Sequence, residues 1–524
     1  MSWRGVSDAA ADCSGGGERE DVGIVISPSG IDEFTVLLTK EGALQRGSYC
    51  MFEHPVRRGV LCLARIFDGE ANNPDMLPLS FGPILVKSGV ELGREKEVVL
   101  LKAEFLGYID GGFKSADYPP LPGQKVYEAS ADDVRAFYTS AEGIQLTLGR
   151  DPHSGLDLSF SVDAMTKGHV AVCGMTRSGK TTFVLNLIAR GVERGCHFLV
   201  IDRTAEYIQP LSDVGARVAV RMPEDFKALS SMDAAKVASF LRLDAKSRKT
   251  DARVVEVVHS RVRRVVAGEL TPEELCDVAS VWEECAEGER RSDMRERMLR
   301  LLEEREALLR RLAEMKTEPD SVVDLVRDHK ITLLDLSKER DIGSQQLAIY
   351  NVLRPLFDHA VATQGEDLTC MVVVEEAQFY APERSAITYG EHWKLSTEIL
   401  TACLSQLGGF NVGFIIITQR PAYVSKALLS QCNTFVIFRL MSGADHEQIA
   451  SVTGYPRYRI SKLLSGLPDH TAYVIGMASP FNFPTFIETV KENRKYPRKA
   501  TLTPSQVIER MRAAALERRP PSGG

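Results

Sequence analysis

The chain has 524 residues, 44% of them hydrophobic and 26% charged, and a formal net charge of −7 at neutral pH. This balance predicts a folded chain with apolar residues for two or three cores and excludes disorder except at the ends. It also excludes wholesale coating of nucleic acid, which needs clustered lysine and arginine, so any nucleic-acid site must be local.

Residues 1–20 are polar and glycine-rich and are expected to be disordered. They lack the apolar stretch of a signal peptide, and no window of the chain approaches ~18 uninterrupted apolar residues, so no membrane insertion is expected. The ten cysteines include no C-x-x-C pair, and Cys173, Cys370 and Cys403 sit in apolar runs, as reduced structural cysteines do. A cytoplasmic location follows.

Residues 21–148 carry short β-rich runs (GIVIS, FTVLLT, SYCMF, GVLCLARIF) separated by Gly, Pro, Asp and Asn. They predict a small antiparallel barrel without a catalytic cluster. From residue 149 to 222 the texture becomes strand, loop, helix, strand: HVAVCG, a helix around Thr182 to Arg194, then HFLVIDRTAEY. That is the first half of an α/β core.

Between residues 223 and 320 charged helical sequence replaces the β pattern, as in an insertion from one loop of a sheet. Met298, Leu301, Leu308, Leu312 and Met315 lie near heptad positions interrupted by Arg305, which predicts a short helical hairpin. Arg242 to Arg264 holds a local excess of positive charge, either a solvated helix face or a face that contacts phosphates.

The α/β texture resumes over residues 321–490 with ITLLDLS, TCMVVVEEAQFYAP, GFIIITQRPAYV, TFVIFRLMS and TAYVIG. Such compact apolar runs suit a parallel sheet buried on both faces. In the final segment, 491–524, Thr503-Pro504-Ser505-Gln506 offers an N-cap, proline at N1 and glutamine at N3, predicting a last helix that packs on a neighbour.

The chemistry starts at Gly174–Thr181, which reads GMTRSGKT, a full G-x-x-x-x-G-K-[ST] phosphate loop between an apolar strand and a helix. That setting aims backbone N–H groups and the positive helix end at one place, where a triphosphate can sit. Gly174, Met175, Thr176, Arg177, Ser178, Gly179, Lys180, Thr181 and Thr182 are the expected ATP-binding residues. Lys180 can reach the β- and γ-phosphates, and the Thr181 hydroxyl can ligate Mg2+.

Two acids, Glu375 and Glu376, end the run Met371–Val374, where a second acidic motif meets a phosphate loop. Glu375 is expected to hold the Mg2+ and Glu376 to polarise the attacking water. Gln419, at the end of the next strand, is a candidate γ-phosphate sensor. Arg439, ending TFVIFR, is a candidate transition-state cation, supplied across a subunit boundary if the sites are shared. Asp202 and Glu206 either tune the site or simply finish their strand.

Taken together, the barrel-first layout, GMTRSGKTT, IDRTAEY, VVVEEAQFYAP, TQRP and CNTFVIFRLMSGAD resemble the HerA family of the HerA/FtsK superfamily, hexameric DNA translocases best known from archaea. The likeness spans roughly residues 21–515. It implies a RecA-like P-loop ATPase core with an N-terminal β-barrel, an inserted helical subdomain and a C-terminal brace reaching the next subunit. It further implies a homohexamer that pumps double-stranded DNA in DNA-end resection, with a NurA-type nuclease and alongside the break-repair nuclease complex. On that reading the loops Phe379 to Trp393 and Arg420 to Ser430, with Tyr380, Arg384, Trp393, Tyr423 and Lys426, face the DNA backbone.

The chain departs from the family pattern at Arg177, where glycine is usual, and at Gln378, where many members have histidine. Arg177 either stabilises charge in its own subunit or points to solvent. Two other functions stay open: a nucleotide-gated ring scaffold that activates a nuclease or defence effector, and a secretion or conjugation pore ATPase.

Overall fold

The computed structural model describes residues 19–73, 87, 97–139, 143–212, 214, 217–226, 229–384 and 390–489. Most of the expected disordered N-terminus and all of the 491–524 brace helix lie outside them. Two units divide the chain, one of residues 1–161 with 473–488 and one of residues 162–472 with 489–524.

In the first unit, alternating apolar and polar residues produce antiparallel strands with one face inward. These are β1 (Asp21–Ser29), β2 (Glu33–Leu38), β3 (Tyr49–Glu53), β4 (Leu61–Asn72), β5 (Val98–Ile109), β6 (Phe113–Lys114) and β7 (Lys125–Glu128), ordered β2-β1-β7-β3-β4-β5-β6. Pairing of β2 with β5 closes the sheet into a barrel, and register shifts along β4 and β5 supply the curvature closure needs. Inside, Phe52 meets Phe34 and Phe105 edge-on, with ring centres 5.2 and 5.0 Å apart. The hairpin of β8 (Gln145–Arg150) and β9 (Asp157–Ser161) belongs to this unit. So does the returning segment 473–488, held by buried Arg65 of β4, which donates to the Pro484 carbonyl at 2.7 Å and pairs with Glu104 at 3.1 Å.

The second unit is built on β10 (Val170–Cys173), β11 (Phe198–Asp202), β12 (Val218–Arg221), β13 (Ile331–Asp335), β14 (Cys370–Val374), β15 (Val412–Thr418) and β16 (Thr434–Ile437). These run parallel in the order β12-β13-β11-β14-β15-β10-β16. Strands β10, β11 and β13 to β16 are buried along their whole length, as continuous Val/Ile/Leu runs require when helices cover both faces. The chain leaves β10 toward β11, on the far side of β15 and β14, while β16 lies on the opposite flank. That reversal opens a crevice at the carboxyl ends of the strands.

The insertion between β12 and β13 is richer than the predicted hairpin. Helices at Ala234–Phe240, Lys249–Val266, Pro272–Cys276, Val278–Ala286, Ser292–Glu303 and Glu306–Ala313 share a core of their own, including Val254, Val258, Leu302, Leu309 and Leu312. The chain leaves helical geometry at Arg305, whose guanidinium bonds the Leu241 carbonyl, so the heptad-like residues turn into this common core rather than against one another. Three residues of the basic stretch, Arg253, Arg261 and Arg264, are internally paired. Arg261 is buried against Ser280 and Glu284, Arg264 also pairs with Glu284, and Arg253 binds Glu256 and the Glu284 carbonyl.

Candidate active site at the strand ends

The loop after β10 depends on glycine at two points. A Cβ on Gly174 would come within 2.6 Å of the Phe438 Cβ, and one on Gly179 within 2.9 Å of the His470 Cα; both residues have positive φ. Arg177 is also left-handed, at φ +63°, which costs an ordinary side chain on the order of 1 kcal/mol. Outer braces fix the loop: Met175 N donates to the Arg439 carbonyl at 2.9 Å and His470 N to the Ser178 carbonyl at 2.8 Å. Ser178 turns inward to the Met175 carbonyl.

A helix of residues Lys180–Glu193 begins as the loop ends, so its free N–H groups open onto the crevice. The buried Lys180 ammonium donates to the carbonyls of Gly174 at 2.6 Å and Met175 at 2.9 Å. Burial lowers its pKa, opposed by the charge of Glu376. Thr181 Oγ1 donates to Glu206 at 3.1 Å, whereas Thr182 stays half-buried on the first helical turn.

At the end of β14, Glu375 accepts from Thr204 Oγ1 at 3.0 Å and from the Arg203 backbone N–H at 3.2 Å. Burial, reinforced by the charges of Asp202 and Glu206, pushes its pKa up to about 9. The fully buried Asp202 caps its own loop through the N–H groups of Thr204 and Tyr207 and shares a hydrogen bond with Glu375. Glu376 is left-handed at φ +52° and accepts from Gln378 on one carboxylate oxygen and from Gln419 on the other. Gln378 in turn accepts from Thr418 Oγ1 at 2.8 Å.

A cavity of about 590 Å3 gathers Thr176, Arg177, Lys180, Thr181, Glu375, Glu376 and Gln419. Thr204, Ala205, Glu206, Ile208, Gln209, Pro210 and Ile417 complete its wall. Position explains the convergence, since β15 separates β10 from β14 and Gln419 follows directly from it. Arg439 is not among the lining residues: its guanidinium pairs with Asp469 at 2.7 Å and reaches the Leu467 carbonyl at 3.3 Å. The donor set fits a nucleotide with its divalent cation. A buried ammonium satisfied only by loop carbonyls can transfer to phosphate oxygens, and a hydroxyl beside two carboxylates suits a hard cation.

One expected DNA-facing residue is corrected. Tyr380 is fully buried, because the 3-10 turn Ala377–Phe379 carries it beneath the surface. Arg384 and Lys426 are exposed, while Tyr423 is half-buried under the Arg420 guanidinium. Residues 385–389 of that loop lie outside the described residues.

Residues 146–355 match the sequence profile of the family described as "Helicase HerA, central domain". The DNA double-strand break repair helicase HerA of Sulfurisphaera tokodaii is 22% identical over 475 residues, 87% of this chain and 90% of that protein. That of Pyrococcus furiosus is also 22% identical, over 74% of this chain and 77% of the other. Residues 146–355 thus match the HerA central domain, and the chain is similar to HerA helicases over most of its length. With its Gly174–Thr181 phosphate loop, the chain is a P-loop ATPase. Among solved structures, VirB4 of Thermoanaerobacter pseudethanolicus aligns at a TM-score of 0.45 and 15% identity, covering 70% of this chain and all of that one. The plasmid coupling protein TrwB in complex with ADP and Mg2+ aligns at 0.41 and 12%, over 71% and 94%.

Proposed function

We propose that the chain is an ATP-driven translocase or helicase for double-stranded DNA. It acts as a cytoplasmic homohexameric ring in the processing of broken DNA ends, with a NurA-type nuclease and alongside the break-repair nuclease complex. The observation that carries this reading is the convergence of Lys180, Thr181, Glu375, Glu376 and Gln419 on one cavity, in a chain whose relatives are double-strand break repair helicases.

In the proposed reaction, Lys180 exchanges its two loop carbonyls for phosphate oxygens, and the backbone N–H groups of the loop and helix start hold the same anion. Glu376, fixed by Gln378 and Gln419, accepts the proton of the attacking water as the bond between β- and γ-phosphate breaks to give ADP and phosphate. Gln419 senses the γ-phosphate. Mg2+ bound through Thr181 and Glu375 would neutralise charge on the phosphates. Arg439 leaves Asp469 to serve the site of the next subunit, a role supported by its absence from the wall of its own cavity. The loops bearing Arg384 and Lys426 grip the DNA backbone without reading sequence.

A strand-displacement or translocation assay on linear duplex DNA tests the reading. ATP-dependent movement that is lost in Lys180→Ala is the expected result. A protein that turns over ATP, moves nothing and still activates a nuclease would be a gated scaffold instead.

A further inference from the structure

We infer that Arg177 grips the terminal phosphate of the nucleoside triphosphate bound in its own subunit, so that this loop distinguishes ATP from ADP by a side chain as well as by its backbone. The inference rests on the nucleotide reading of the cavity. Backbone geometry at position 177 is left-handed, and glycine is the unstrained residue there. The chain instead carries its longest cation at this strained point. The side chain is exposed, lines the cavity, and has no hydrogen-bond or ion-pair partner among the described residues, although Glu206 and Glu376 form part of the same wall.

Two other polar side chains of the loop are already engaged. Lys180 is held by the carbonyls of Gly174 and Met175, and Ser178 is turned onto Met175. A free guanidinium at the crest of a loop that cradles β- and γ-phosphates is matched to the outermost of them, because its planar fork binds two phosphate oxygens at once. It remains charged at every pH the protein experiences.

Equilibrium binding of a non-hydrolysable ATP analogue and of ADP, each with Mg2+, tests this on the full-length protein. Arg177→Gln is expected to lose about tenfold in affinity for the analogue and little for ADP, and Arg177→Lys to recover part of the loss. Arg177→Gly removes the strain with the charge, so its nucleotide-free melting temperature should equal or exceed that of the wild type while the analogue is still bound weakly. Unchanged affinity for both nucleotides, or an equal loss for both, would overturn the assignment. Lys180→Ala, run beside these, should lose both nucleotides. If it binds them normally, the nucleotide reading of the cavity fails first.

Discussion

Gln419 at the end of β15 donates a hydrogen bond to the carboxylate of Glu376 at the end of β14, and Gln378 donates to the other oxygen of the same carboxylate. Both amides are themselves tied to strand ends, Gln419 by sequence and Gln378 through Thr418. Two fixed donors hold this carboxylate in one orientation, as the proposed role of Glu376 toward the attacking water requires.

Glu376→Gln is therefore expected to lower ATP turnover by at least about 10²-fold while leaving nucleotide affinity near the wild-type value. Gln378→Ala, which frees one carboxylate oxygen, should lower kcat by about tenfold with little change in KM. Steady-state kinetics with a binding titration checks both, and a Gln378→Ala effect confined to KM would contradict the positioning role.

Glu375 predicts a pH signature in the protein free of metal and nucleotide. Its pKa is pushed up from about 4.5 to about 9, so between these values the folded chain holds a proton that the unfolded chain releases. The resulting stability is fully present below about pH 4.5 and is lost progressively as the pH rises toward 9. Glu375→Gln should flatten this decline and gain most over the wild type in melting temperature near pH 9. A variant profile parallel to the wild type would mean that Glu375 is ionised in the fold.

Glu206 meets the hydroxyl expected to ligate the cation. Glu206→Gln should raise the Mg2+ concentration needed for half-maximal activity several-fold and leave kcat at saturating Mg2+ within about threefold. A Mg2+ titration of ATP hydrolysis decides it. Loss of kcat with an unchanged Mg2+ requirement would assign Glu206 to the reaction itself.

If Arg439 serves a neighbouring site, Arg439→Ala and Lys180→Ala should each be inactive to within about 0.1% of wild type, yet complement one another when mixed. At equal proportions about a quarter of the sites pair an intact lysine with an intact arginine, so activity should rise toward that fraction. Mixtures no more active than their parents would return Arg439 to its in-subunit pairing with Asp469.

The strands of the α/β unit were readable because burial on both faces demands uninterrupted Val/Ile/Leu runs, and the phosphate loop because its spacing reflects a backbone shape. The partners of the acids were not. Gln419 lies 43 residues beyond Glu376, and Thr204 lies 171 residues before Glu375; only the strand order brings them together. Gln378 stood out in the sequence merely as a departure from histidine, since its contact requires the left-handed turn at Glu376. Tyr380 looked like a surface aromatic because a 3-10 turn leaves no periodic trace. The insertion misled for a related reason: near-heptad spacing shows an apolar stripe and not which helices share it.

The most direct test of the account is steady-state ATP hydrolysis by the purified protein with and without linear double-stranded DNA, with Lys180→Ala and Arg439→Ala as controls and particle size measured in parallel. Several-fold stimulation by DNA, lost in both variants and confined to a ring-sized species, is the predicted result. Hydrolysis that ignores DNA in a ring-sized species would contradict a DNA motor and favour a nucleotide-gated scaffold.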